Sequence, residues 1–151
     1  MEPWYFEDYK VGARFSTLAR TVTETDLVNF IGLSGMYEPL FVDQEYLRRE
    51  TSFTGRLVPG ALTFALSEGL VLQTGVLNER GIAFLGAEIT ILKPVYVGDT
   101  VRVEVEPTEA RPTNRPGRGI VVTRNHVLNQ RGEEVMTYVA KRMVHGRPAE
   151  S

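Results

Sequence analysis

The sequence predicts an α+β fold in which a curved antiparallel sheet covers one long helix, and three observations carry that expectation. The first half of the 151 residues is patterned for helices and the second half for strands. The stretch PGALTFALSEGLVLQT, residues 59–74, is apolar almost all round, as a helix enclosed by other structure must be. Val101, Val103 and Val105 alternate with Arg102, Glu104 and Glu106, the period of a strand with one buried face and one wet face.

Taken in order, Thr23-Glu24-Thr25-Asp26 has the character of a capping box, and Leu27, Phe30 and Ile31 follow at helical spacing until Gly32 and Gly35. Asp43 is placed to cap a short turn through Glu45 to Glu50, with Glu45 and Arg49 four apart as a surface pair. The long helix has Pro59 near its first turn and Gly75 just beyond its end. Only Thr63, Ser67 and Thr74 leave it a narrow polar stripe. Gly69 costs about 1 kcal/mol of helix propensity against alanine, which implies that another backbone passes close by. Residues 82–92, 119–128 and 133–144 are rich in Val, Ile, Thr and aromatics. Turn signals at Gly98-Asp99, Pro116-Gly117 and Gln130-Arg131-Gly132 separate the strands, so antiparallel pairing through hairpins is expected.

Composition narrows the function classes. A chain of this length buries roughly 70% of its unfolded surface in one core, and no repeat or linker marks a second domain, so residues 1–151 read as a single domain. A net charge of −2 and a pI near 5.8 give no footprint for a nucleic acid. The absence of cysteine removes disulfides, thiolate nucleophiles and Cys-based metal sites. The N-terminus MEPWYFEDYK lacks a basic start followed by an apolar run, and no apolar stretch is long enough to span a bilayer, so the expectation is a cytoplasmic protein without a membrane partner. No phosphate-binding glycine loop occurs, and Ser34 and Ser67 lack the context of a serine nucleophile. His126 and His145 have no partner at metal-ligand spacing, so no metal is assigned.

The segment GLSGMYEPLFVDQEYLRRETSFTGRLVPGALTFALSEGL resembles the active-site stretch of MaoC-like dehydratases and R-specific enoyl-CoA hydratases. FEDYKVGARF, ILKPVYVGDTVRVEVE and VLNQRGEEV are similar to other segments of that family, in the same order. The resemblance implies a hot-dog fold, a long central helix wrapped by a curved antiparallel sheet, assembled as a homodimer or higher homo-oligomer. It also implies an acyl-CoA thioester as the substrate, with coenzyme A part of that substrate and no separate cofactor. The thioester carbonyl would be polarised by the backbone N–H of Gly60, because a helix N-terminus favours a developing enolate oxygen.

The family motif reads Asp, any residue, Asn, Pro, an aliphatic residue and His. In SGMYEPLFVD the Asp position is Met36, the Asn position Glu38 and the His position Phe41, with only Pro39 and Leu40 retained. A thioether and a phenyl ring carry no proton at neutral pH, so the ordinary dyad is absent. Glu38 is the carboxylate left in the motif, and apolar neighbours Met36, Leu40 and Phe41 would raise its basicity. Tyr37 offers a phenol to orient substrate or water, although packing is the simpler role. Asp43 would position the loop, and Pro59 stands where relatives often carry His. Arg56 would meet either a phosphate of coenzyme A or a neighbouring carboxylate. Arg111, Arg115 and Arg118 lie in a Pro/Gly-rich hairpin loop that would attract nucleotide phosphates by charge or simply stay solvated. Three readings stand at this point: a hydro-lyase with Glu38 as replacement base, an acyl-thioester-binding protein or inert subunit without turnover, and an acyl-CoA thioesterase.

Overall fold

The chain begins with a single 3₁₀ turn, Phe6–Asp8, and two very short strands, β1 (Phe15–Ser16) and β2 (Arg20–Thr21), in a computed structural model that describes residues 1–150. Helices α1 (Glu24–Ser34), α2 (Pro39–Val42), α3 (Gln44–Glu50) and α4 (Gly60–Gln73) follow, then strands β3 (Gly81–Ile91), β4 (Thr100–Pro112), β5 (Arg118–Leu128) and β6 (Glu134–His145). The α+β order expected from the patterning is therefore present.

The capping box at Thr23 forms: Thr23 Oγ1 accepts from the Asp26 amide at 3.1 Å, and Asp26 accepts from the Thr23 amide at 2.9 Å. Helix α1 runs through Gly32 and stops at Gly35, whose left-handed φ of 73° suits glycine. Burial of Leu27 and Ile31 outweighs the small cost of an internal glycine. Asp43 caps α3 through the Tyr46 amide at 2.9 Å. The expected Glu45–Arg49 pair does not form; Glu45 pairs with Arg48 and Arg49 with Glu50, both on the surface, where such pairs exchange at little cost.

The sheet is antiparallel with the order β1-β4-β5-β6-β3, and β2 also pairs with β4. Hairpins join β4 to β5 and β5 to β6, as the turn signals at 116–117 and 130–132 predict. The turn at Gly98-Asp99 is different, because β3 crosses the whole sheet to pair with β6 instead of β4. That crossover leaves β3 as an edge strand. Arg111 and Arg118 belong to β4 and β5, so the hairpin loop is confined to residues 113–117. At Gly119 the ring of Phe6 lies 2.3 Å from where a Cβ would stand, so only glycine admits the N-terminal turn against β5.

Leu62, Leu66, Leu70 and Val71 of α4 pack into a core shared with Val103, Val105, Val121, Val127, Met136 and Tyr138 of the sheet. Thr63 and Ser67 of the narrow polar stripe are buried, while Ala61, Ala65 and Leu72 face outward. Ser67 is satisfied in the core because its hydroxyl donates to the Thr63 carbonyl at 2.7 Å. No other backbone approaches Gly69, where a Cβ would meet only Gln73 Nε2 at 4.0 Å. Among the described residues, no helix is long and apolar enough to cross a membrane.

Candidate functional site

The start of α4 is held in place by the strand-like segment before it. Leu57 bridges to Tyr96, the Val58 amide donates to the Val95 carbonyl at 2.9 Å, and the Val97 amide donates to the Arg56 carbonyl at 2.9 Å. Pro59 then serves as N-cap without any side-chain cap. Its carbonyl accepts from the amides of Leu62 and Thr63, but the Gly60 and Ala61 amides find no acceptor among the described residues. The helix therefore presents free N–H groups and the positive end of its dipole.

That end opens onto a cleft of about 320 Å³. Leu57, Val58, Pro59, Gly60 and Thr63 form one side, Ile91 to Val95 with Val135 and Met136 the other, and Phe41 and Phe53 close it. The absence of a side chain at Gly60 matters, because a Cβ there would stand 3.0 Å from Ile91 Cδ1. The lining is almost wholly apolar and holds no carboxylate and no imidazole among the described residues. Lys93 is its one charged member, and it is paired with Glu133 of the β5–β6 turn. Lys93, Arg131 and Asn129 all donate to Glu133, which pulls its carboxyl down from 4.5 to about 2.

Three of the residues singled out in the sequence come together here: Phe41, Pro59 and Gly60. Phe41 is positioned by Arg56, whose Nη1 donates to the Phe41 carbonyl at 2.6 Å while its Nε lies 3.0 Å from Glu24. Arg56 thus meets a carboxylate, and the guanidinium latches α2 to α1. Asp43 is occupied in capping α3. Met36 packs against the core beside the cleft without lining it. Tyr37 is 70% exposed. Glu38, the N-cap of α2, is exposed and outside the cleft, not enclosed by Met36, Leu40 and Phe41 as the sequence suggested.

Sequence reasoning missed Thr63, Phe53, Ile91, Lys93, Val135 and Met136 as wall residues. All of them but Met136 lie within the segments that resemble the family, which is the signal that could have found them. It also missed a second polar cluster two turns along α4. Arg142 of β6 donates two bonds to Glu68, at 2.8 and 2.6 Å, and Tyr138 Oη donates to Glu68 at 2.8 Å. Burial first, and then the Glu68 charge, push the Tyr138 phenol up, so it remains a donor.

An apolar cleft lined by the free Gly60 amide at a helix start accepts a neutral carbonyl and stabilises negative charge developing on its oxygen. Comparison with known proteins is consistent with that chemistry. The profile of the MaoC-like domain matches residues 8–130. An (R)-specific enoyl-CoA hydratase of Rhodospirillum rubrum is 33% identical over 74% of this chain and 74% of its own. A mesaconyl-CoA hydratase of Cereibacter sphaeroides is 32% identical over 95% of this chain, which spans only 41% of that relative. The MaoC-like dehydratase structure from Rhodospirillum rubrum superposes with a TM-score of 0.85 at 33% identity, covering 96% of this chain and 99% of that one. A Mycobacterium tuberculosis protein described as a double hot-dog superposes at 0.86 and 20% identity over 99% of this chain and 46% of its own, a likeness of fold alone. With its helix laid in a curved antiparallel sheet, the chain belongs to the MaoC-like domain family and has the hot-dog fold.

Proposed function

We propose that the protein is a hydro-lyase acting on an acyl-CoA thioester, adding water to an enoyl-CoA or removing it from a 3-hydroxyacyl-CoA. The observation that carries this reading is the uncapped Gly60 amide at the base of an apolar cleft. A thioester oxygen seated on that amide gains charge as the enolate forms, and the apolar walls strengthen the interaction by excluding water. Relatives named as enoyl-CoA and mesaconyl-CoA hydratases support the substrate class. Glu38 is the general base in this reading, as the carboxylate that remains in the motif, one helical turn before Phe41 of the cleft wall.

The working unit in this proposal is a homodimer. Strand β3 has one edge unpaired and exposes Phe84, Leu85, Ile89 and Ile91. On α4 the neighbouring outward positions Ala61 and Ala65, continued by half-buried Gly69, would let a second helix approach closely. That second helix supplies the close backbone which Gly69 predicts and the single chain lacks.

Hydration of crotonyl-CoA by wild type and Glu38→Gln tests the reading. General-base work predicts a loss of about 10²-fold or more in kcat for the variant. Equal, substantial turnover by both proteins eliminates Glu38 as the base. A second reading, a protein that holds an acyl-thioester without turning it over, is favoured by Phe41 and by a cleft wall free of carboxylates. Tight calorimetric binding of crotonyl-CoA with no turnover selects it. Release of free thiol would instead mark a thioesterase.

A further inference from the structure

The β4–β5 hairpin carries a second concavity at the other end of the sheet. Arg111, Arg115, Arg118 and Lys141 converge on it, bordered by Leu85 of the edge strand and Met143. Only Arg111 has a carboxylate partner among the described residues, Glu109 at 3.1 Å, while Arg118 Nη1 rests 3.7 Å from the Met143 sulfur. Three cations thus gather without neutralisation in a protein whose net charge is negative. Such a groove attracts a compact polyanion.

The position of β3 relates this groove to the cleft. Leu85 borders the groove and Ile91 borders the cleft, and the strand rise places them about 20 Å apart within one chain. Antiparallel pairing of two β3 edges about a two-fold at the strand midpoint changes that separation. It sets Leu85 of the second copy beside Ala87 of the first, about 13 Å from the first copy's Ile91. A stretched pantetheine arm, with the span of roughly four extended residues, reaches about 15 Å. The Leu85 rim of the second copy's groove lies within that reach, and that of the chain's own groove, about 20 Å away, does not. Lys141 stands on the face opposite Arg142, which points at Glu68 of α4, so the groove is on the outer face of the sheet. Loop residues 113–117 lie past the strand ends, where an arm rounding the end of the sheet meets them.

We propose that the β4–β5 hairpin of each copy binds the diphosphate and 3′-phosphate of the coenzyme A thioester held in the other copy's cleft. This inference rests on the thioester reading and the dimer above. Three free cations match the several phosphates of coenzyme A, whereas the single phosphodiester of a carrier-protein arm needs only one. The protein therefore selects the nucleotide thioester.

Calorimetry with crotonyl-CoA and with crotonyl-pantetheine, which lacks the phosphates, tests it on the full chain. In the R111S/R115S/R118S variant the Kd for crotonyl-CoA rises at least tenfold and its salt dependence flattens, while that for crotonyl-pantetheine stays within twofold. An unchanged crotonyl-CoA affinity overturns the proposal, as does an equal weakening of both ligands, which shows that the arginines do not act on the phosphates. Failure of wild type to bind either ligand overturns the thioester reading itself. Mixed dimers, one copy Gly60→Val and the other the triple variant, separate the two placements. One site of wild-type affinity per dimer supports cross-subunit binding, and loss of all tight sites shows that the hairpin serves its own chain.

Discussion

Glu133 shows how one side chain links a turn to the cleft. Its carboxylate accepts from Lys93 of the cleft wall and from Arg131 and Asn129 of its own turn, so its folded pKa of about 2 lies below the ordinary 4.5. A carboxyl depressed by folding stabilises the native state at all pH values above 4.5, and the contribution fades as pH falls towards 2. We expect the melting temperature of Glu133→Gln to converge on that of wild type as the pH is lowered from 6 to 3. Parallel curves across that window would remove Glu133 from the account. The composition of the VLNQRGEEV turn is plain in the sequence, but which charges converge on Glu133 is not, because Lys93 comes from another part of the chain.

At the scale of elements, α4 is the part most legible in the sequence, although its orientation is not. Its bounds follow from Pro59 and Gly75, and its length from an unbroken apolar pattern. An all-round apolar pattern has no direction, so it could not tell that Thr63 and Ser67 point into the core while Ala61 and Ala65 point out. Nor does the pattern tell that Glu68 anchors the helix to β6 through Arg142 and Tyr138. The Arg142 side chain is only 8% exposed, so removing one partner strands a buried charge. Arg142→Met is expected to cost about 3 kcal/mol in chemical denaturation. The double variant Glu68→Gln/Arg142→Met should recover part of that loss, whereas strict additivity would show that the two groups do not interact. The short strands β1 and β2 and the turn α2 escaped sequence reading because each is defined by its neighbours, not by a periodicity of its own.

For the whole molecule, the hairpins were legible from turn residues, but the crossover of β3 was not, since local signals do not state which strand pairs with which. That crossover leaves β3 as an edge bearing exposed Phe84 and Ile89, 48% and 43% accessible. Unmanaged apolar edges invite pairing. Sedimentation should find wild type at twice the 16.9 kDa chain mass and the Phe84→Glu/Ile89→Lys variant at the chain mass. A monomeric wild type would contradict the dimer and the shared phosphate site together. Phe41, Pro59 and Gly60 line the cleft, Pro59 and Gly60 because they start α4 and Phe41 because Arg56 ties its carbonyl to the segment before that start; Tyr37 and Glu38 do not, because exposure depends on how the loop before α2 turns. In the proposed hydro-lyase, substrate activation rests on the Gly60 amide meeting a thioester carbonyl. Infrared difference spectra of crotonyl-CoA carrying a ¹³C-labelled carbonyl read that contact directly. A shift of the bound carbonyl stretch to lower frequency is the result expected, and a ligand that binds with its carbonyl frequency unmoved from water would contradict it.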